Sequence, residues 1–138
     1  MTRILLFCLV GSFAMAAGVN VRDPETGDTP LLAAVGDCDR AKIEALLKRG
    51  ADFTLVDRFG ETVLHRAIDR LRIGRSGPGI ACRNEVIRRL APLDHLKAKR
   101  DEQGRTPLDL VRYLQAHPVE WGNGVSRLTF REALKALR

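Results

Sequence analysis

The sequence predicts an all-α protein built from about three repeats of one helix–turn–helix unit. The start of the unit is a Thr followed two residues later by Leu, at Thr29, Thr62 and Thr106. The first two are 33 residues apart, and the last two are 44 apart, which is one period and 11 further residues. Between them, apolar residues recur at helical spacing and Gly lies where helices are expected to end.

Each predicted repeat contains an inner helix, an outer helix and a polar turn. The predicted domain covers 18–138, with repeats at about 23–56, 57–100 and 101–138. In the first two repeats, inner helices are expected at about 30–35 and 63–73, and outer helices at about 39–49 and 84–91. In the third, the inner helix begins at Thr106 and the final helix buries Phe130, Ala133, Leu134 and Leu137.

Local signals mark where these helices begin and end. Thr62 is a good N-cap, because its hydroxyl accepts from a free amide of the first turn. Pro30 suits a first helical position, where its missing amide would be unpaired anyway. Gly50 provides the left-handed residue that closes a helix. In the second repeat, Asn84 is the expected cap and Pro92 ends the outer helix.

Two long loops are expected between the helices of the second and third repeats. Residues 74–81 are rich in Gly and Pro and lie in the stretch between Thr62 and Thr106 that is 11 residues longer than one period. Residues 117–126 contain Trp121, the only Trp of the chain. Since stacking would bring equivalent loops together, they are expected to form one edge of the molecule.

Four segments in register resemble the ankyrin repeat. They are Thr29-Pro30-Leu31, Gly50-Ala51-Asp52, Leu64-His65-x-Ala67 and Thr106-Pro107-Leu108. The resemblance covers residues 23–137, although Val63 replaces the usual Pro and Leu32 and Asp109 replace the usual His. It implies an α-solenoid, a non-catalytic binding scaffold and a structural hydrogen-bonding role for His65.

The first 17 residues have the pattern of a signal peptide. Arg3 precedes the apolar run 4–10, and small residues then allow cleavage after Ala16 or Ala17. The run is too short for an ordinary transmembrane helix. An uncleaved N-terminal anchor is the alternative. We therefore expect an exported protein, with the periplasm as its compartment.

Basic residues are concentrated in the segment 66–100. It holds ten Lys and Arg against three acidic residues, in a chain of net charge +6. A basic surface steers acidic proteins or anionic surfaces toward it, and the alternative is an ordinary solvated helical face. Nucleic acid is not expected as a partner, because export separates the chain from it and aromatic residues do not interleave with the basic ones.

No catalytic pattern is present in the sequence. Phosphate-binding loops, zinc-protease motifs and nucleophile elbows are absent. His65, His95 and His117 have no metal-ligand spacing with one another or with the cysteines. We therefore expect no metal, no cofactor and no enzymatic activity.

Cys38 and Cys82 occupy equivalent positions in the predicted repeats, each at the start of an outer helix. Exported proteins keep disulfides. Packed helices lie about 8–10 Å apart, whereas bridged α-carbons lie within roughly 7 Å, unless the long loop before Cys82 closes the gap. A disulfide and two small buried apolar residues both remain open.

The candidate partner-binding residues form two groups. On the surface of turns and inner helices, where the resemblance implies ligand binding, stand Arg58, Phe59, Arg66 and Arg105. At the loop edge stand Arg72, Arg75 and Trp121. Trp121 is either a binding hot spot or a side chain that closes the core of the last repeat.

The main functional hypothesis is a monomeric scaffold of the bacterial envelope that binds another protein. A sharper alternative is an inhibitor or self-protection (immunity) protein for an exported enzyme. A third is an adaptor held to an anionic envelope surface by weak contacts of its basic segment. Salt dependence of binding distinguishes the inhibitor from the adaptor, because an adaptor should dissociate from the anionic surface near physiological ionic strength.

Overall fold

The computed structural model describes residues 18–73, 77–117 and 127–138. Within these ranges the chain forms seven α-helices and no β-strand. The helices are α1 (Pro30–Asp37), α2 (Arg40–Lys48), α3 (Val63–Asp69), α4 (Gly77–Leu90), α5 (Asp94–Ala98), α6 (Pro107–Ala116) and α7 (Arg131–Leu137). Three 3₁₀ helices cover Gly18–Asn20, Arg70–Ile73 and Arg127–Phe130. The all-α prediction is confirmed for this part of the chain.

Three threonines cap the helices that begin each unit. The hydroxyl oxygens of Thr29, Thr62 and Thr106 accept from the amide three residues ahead, at 3.2, 3.4 and 3.2 Å. Thr62 and Thr106 each form a reciprocal capping box. The predicted cap at Thr62 is therefore confirmed, and the same local chemistry starts all three helices.

Each capped helix follows a tight turn closed by an Asp–Gly backbone hydrogen bond, and the first turn is one residue longer than the other two. In each turn the carbonyl of an Asp accepts from a Gly amide, in the first turn (Asp23–Gly27), the second turn (Asp57–Gly60) and the third turn (Asp101–Gly104). The glycines have φ of 76°, 71° and 77°. This left-handed region is open to glycine at no steric cost, which explains the residue at all three positions.

The helices pack as three neighbouring pairs around one hydrophobic cluster. Helix α1 contacts α2 and α3, α3 contacts α4 and α6, and α7 contacts both α4 and α6. The largest fully buried side chains include Leu32, Leu64, Ile68, Ile87, Leu110 and Phe130. Each contributes about 1.5–3 kcal/mol through burial.

Helix α4 begins earlier than the sequence predicts. The expected loop 74–81 is helical from Gly77, and Asn84 is buried within the helix and not at its cap. Gly and Pro lower helix propensity in this stretch. The prediction was wrong because tertiary packing decides the state of the segment, with Val86 and Ile87 buried in the core further along the helix.

Two further elements differ from the prediction. The inner helix expected over 63–73 becomes a 3₁₀ helix after Asp69. Helix α5 was not predicted, and it places Leu96 in the core. The final helix buries Ala133 and Leu137 as expected. Among the helices of the described residues, none has the length and hydrophobicity needed to traverse a bilayer.

Candidate binding groove

A groove of about 390 Å³ lies beside the second and third turns and helices α3 and α6. We call it the groove. Its charged lining consists of Glu61, Arg66, Asp69, Arg70, Arg72 and Arg105. Phe59 and Tyr113 are its aromatic residues. It therefore combines four guanidinium groups, two carboxyl groups and two rings in one concave site.

Backbone and side-chain hydrogen bonds hold the turns against one another. The amide of Glu102 donates to the carbonyl of Phe59 at 2.9 Å, which joins the second turn to the third. Arg58 Nε donates to the carbonyl of Thr26 at 2.9 Å, which joins the first turn to the second. The guanidinium of Arg58, predicted to bind a partner, thus stabilises the fold.

Arg66 lines the groove but is largely buried, so little of a side chain predicted to bind a partner reaches solvent. Arg66 is only 9% exposed, and its Nη2 lies 2.7 Å from both Asp28 Oδ1 and Asp57 Oδ2. Burial alone would lower the pKa of Arg66, but the hydrogen bonds that Arg66 donates to Asp57 and Asp28 outweigh it and raise the pKa. Arg66 therefore joins the first and second turns as a permanent cation.

His65 links α3 to the third turn. Its Nε2–H donates to the carbonyl of Arg105 at 3.0 Å, while Nδ1 accepts from the Thr62 amide at 3.4 Å. Burial lowers the pKa of His65, so the imidazole is neutral. The hydrogen-bonding role that the sequence predicts for His65 is what the structure shows.

Glu61 is the groove residue with the most perturbed acidity. Burial and the neighbouring charges of Asp57 and Asp69 raise the pKa of Glu61 to about 7. Arg66 opposes this shift only weakly, since its Nε lies 3.7 Å from the carboxylate. Glu61 is therefore partly protonated at neutral pH, which reduces the negative charge of the groove.

The remaining groove arginines differ in their partners. Arg105 donates from Nε to Asp101 Oδ2 at 2.9 Å and lies 5.3 Å from the centroid of the Tyr113 ring. Arg72 pairs with Asp69 at 3.1 Å. Arg70 forms no hydrogen bond or ion pair with a described residue, and its Nε is buried without a partner.

Two exposed aromatic rings line the groove. Phe59 is 50% exposed and Tyr113 is 42% exposed. Phe59 was predicted from the sequence, whereas Tyr113 and Arg70 were missed. The sequence did contain a signal that Tyr113 is exposed. In a helix it lies off the apolar stripe that includes Leu110 and Leu114.

The candidate residues are thus divided by the fold. Phe59, Arg72 and Arg105 line the groove together with the largely buried Arg66, whereas Arg58 is not among the lining residues. Arg75 and Trp121 lie outside the described residues, as does the predicted signal peptide. Within the described ranges, no group of three or more His, Cys, Asp or Glu is arranged to hold a metal.

Cys38 and Cys82 form a disulfide with a Cα–Cα distance of 6.3 Å. Their positions are not equivalent, which corrects the register expected from the sequence. Cys38 is the left-handed C-cap of α1, with φ of 57°, whereas Cys82 lies inside α4. A residue at a helix end approaches the neighbouring helix more closely than residues on two packed faces do, so the α-carbons lie within bridging distance.

The basic segment 66–100 does not present all its charge to solvent. Arg89 pairs with Glu44, Arg100 lies 3.6 Å from Asp109, and Arg83 donates to the carbonyl of Gly36 at 3.3 Å. Intramolecular partners therefore occupy several of the arginines that the sequence suggested for an anionic surface.

Fold and groove together describe an all-α protein with a charged, partly aromatic site between two turns. No protein-family model matches the chain. A stretch of 54 residues is 50% identical to Protein PhlB of Serratia liquefaciens, and it covers 39% of this chain and 24% of PhlB. The similarity is thus to about a quarter of PhlB's length.

Proposed function

We propose that this chain is an ankyrin-repeat protein of the bacterial envelope that binds another protein in its groove and catalyses no reaction. The observation that carries the proposal is the presence of two exposed aromatic rings, Phe59 and Tyr113, in a concave site with four arginines. Aromatic residues and Arg are the types most enriched in protein interfaces and their hot spots.

The repeated turns support the ankyrin-repeat part of the proposal. Three turns share one Asp–Gly hydrogen-bonding pattern, and each is followed by a Thr-capped helix. His65 adds a hydrogen bond from one unit to the next turn. A unit that repeats both its local chemistry and its contact with its neighbour is the basis of a solenoid.

A rigid scaffold supports the binding part. The turns that border the groove are held by the Glu102–Phe59 backbone hydrogen bond and by the Asp101–Arg105 pair. A site ordered before binding loses less conformational entropy when a partner arrives. The groove therefore suits recognition through side chains on fixed backbone.

The hydrogen bonds of two titratable groups, His65 and Asp57, support a non-catalytic role for these residues. His65 and Asp57 form hydrogen bonds with neighbouring groups of the turns. A general acid or base has to exchange protons with a substrate within hydrogen-bonding reach. We accordingly propose a scaffold that acts as a monomer and needs no cofactor.

A narrower form is an inhibitor or self-protection protein for an exported enzyme. The Cys38–Cys82 disulfide favours an oxidising compartment for this chain. An adaptor for an anionic envelope surface is the less favoured candidate, because several arginines of the basic segment have intramolecular partners.

Affinity capture with groove variants tests the proposal. The purified chain, F59A/Y113A and V21A are immobilised and exposed to envelope extract of the bacterium that encodes the chain. Val21 is also a large exposed apolar residue, at 61%, but it lies outside the groove lining. Since losing one hot spot costs about 2 kcal/mol or more, F59A/Y113A should lose a stoichiometric protein that V21A keeps.

Two results would contradict the proposal. Equal capture by all three proteins would place the binding surface elsewhere. Absence of any captured protein, together with salt-sensitive retention on vesicles of anionic lipid, would favour the envelope adaptor.

A further inference from the structure

We infer that the groove accepts an acidic peptide segment of its partner, with a carboxylate of that segment held by Arg70 and Arg72. The inference rests on the proposed function and specifies the chemistry of the segment that would occupy the groove. It is drawn from the pairing of the groove's charges and from the rings beside them.

Arg70 is the groove cation that lacks an acidic partner among the described residues. Arg66 pairs with Asp28 and Asp57, and Arg105 pairs with Asp101. The Nε of Arg70 is buried without an acceptor, as are those of Arg66 and Arg72, but Arg70 differs from these two in having no ion pair with a described residue. A partly buried guanidinium without an acceptor has a desolvation cost in free energy, and a bidentate carboxylate offsets that cost.

The surroundings of Arg70 strengthen its need for an anion. Burial and the nearby charge of Arg70 lower the pKa of Arg83, although Asp37 opposes the shift. Arg70 and Arg83 therefore repel each other near the end of α1, where Gly36 lies close to both side chains. An incoming carboxylate would reduce this repulsion.

Arg72 lies next to Arg70 but is held by Asp69. Its side chain is 42% exposed, so it can turn toward a second carboxylate at low cost. The other acid of the groove, Glu61, has a pKa of about 7 and is partly neutral. Arg66, Arg72 and Arg105 each pair with a carboxylate, so the positive charge that remains for a ligand among the described groove residues is that of Arg70.

The rings provide contact for the apolar parts of such a peptide. Phe59 lies under the guanidinium of Arg58, and Tyr113 lies under that of Arg105, at 5.6 and 5.3 Å. Tyr113 also contacts the His117 ring, at 4.3 Å between centroids, and both Phe59 and Tyr113 remain partly exposed. An acidic segment that also carries apolar side chains satisfies both features of the groove.

Peptide binding tests the inference directly. The probe is a short fluorescein-labelled peptide rich in Glu and Leu, and its match has Gln in place of every Glu. Binding to the full chain is followed by fluorescence anisotropy at low and at physiological salt. We expect the Glu peptide to bind about tenfold more tightly than the Gln peptide, and to weaken with salt.

Three variants assign the carboxylate to its site. R70Q should weaken the Glu peptide about tenfold, because one charge-assisted contact is lost. D69N should tighten it, since Arg72 is released. R88Q removes an exposed arginine of α4 that does not line the groove, so it should change little. R70Q could bind the peptide more weakly simply because it is misfolded. Tighter binding by D69N cannot be caused by misfolding, so this variant tests the inference independently.

The outcomes separate the inference from the proposed function. If the Glu and Gln peptides bind equally, if neither binds, or if R70Q behaves like R88Q, the acidic-segment inference is overturned. A short single-stranded oligonucleotide that displaces the Glu peptide more strongly than unlabelled peptide would also overturn it. Loss of the captured envelope protein in F59A/Y113A would still support the groove as a binding site in each case.

Discussion

Gly60 is a residue of the second turn against which the backbone of the third turn packs closely. A Cβ on Gly60 would lie 3.0 Å from the backbone nitrogen of Glu102 and 3.4 Å from the Cα of Asp101. Gly104 has nearly the same φ, 77° against 71°, but nothing lies within 4 Å of its Cβ position. Both glycines thus adopt a positive φ, but only Gly60 lacks space for a Cβ atom.

Replacing both glycines by Ala separates these two costs. G104A should lower the free energy of unfolding by about 1–2 kcal/mol, the cost of a left-handed L-residue. G60A should lose about 1–3 kcal/mol more, because the methyl group meets backbone that has to move. Urea denaturation measures both, and equal losses would mean that the turns are not in rigid contact at Gly60.

At the scale of single residues, intramolecular ion pairs and hydrogen bonds decide whether a charged side chain is available to bind a partner. Arg58, Arg66 and Arg105 all appeared suited to partner binding from the sequence, yet each contacts an acceptor within the fold. Arg70 has no such contact with a described residue. Availability for binding therefore follows from tertiary pairing and not from residue type.

At the scale of elements, α4 is the helix whose existence depends most on its contacts. Its first three residues, Gly77–Gly79, have low helix propensity. Cys82 ties the helix to the end of α1, and Arg83 donates to the carbonyl of Gly36 there. These two contacts oppose fraying of the first turns.

Removing the disulfide should destabilise the protein and loosen the start of α4. For a sequence separation of 44 residues, loop-closure entropy predicts a loss of about 4 kcal/mol in C38S/C82S. C38G/C82S should recover about 1 kcal/mol, because Gly adopts the positive φ of position 38 without strain. Urea denaturation of both variants measures the difference.

Hydrogen exchange locates the effect along the helix. Amides in the first turns of α4 should lose more protection in C38S/C82S than those around Ile87, which is fully buried. A uniform change over all of α4, or equal stability of the variant and the parent chain, would contradict a local role for the bridge.

At the scale of the whole molecule, two buried groups give opposing pH dependences of stability. The pKa of Glu61 rises from 4.5 to about 7 on folding, so its stabilising contribution is complete below 4.5 and is lost as pH rises through 7. The pKa of His65 falls below its ordinary 6.5, so its contribution is present above 6.5 and is lost as pH falls below it.

Single substitutions should separate the two contributions. In E61Q only the His65 contribution remains of the two, so the free energy of unfolding should rise with pH more steeply than in the parent chain between about pH 5 and 7. H65Q should shift the slope in the opposite direction. Urea denaturation across this range measures the slopes, and identical slopes in all three proteins would contradict the assignment.

Much of the fold follows from interactions between residues close in sequence, and these the sequence predicts. A Thr cap bonds to an amide three residues ahead, and a turn glycine meets a local need for positive φ. Such contacts have the same geometry wherever they occur. The all-α class, the starts of α1, α3 and α6, and the place of Phe59 beside the second turn were therefore predictable.

Only the tertiary structure decides the features that depend on distant partners. The early start of α4 and the burial of Arg66 arise from contacts over tens of residues, and so does the placement of Arg70 away from every carboxylate of the described residues. The sequence identifies the charges, but pairing depends on which of them the packed helices bring within a few ångströms. The groove, and the lack of a carboxylate partner for Arg70 among the described residues, follow from that packing, because electrostatic and apolar contacts act through space and not along the chain.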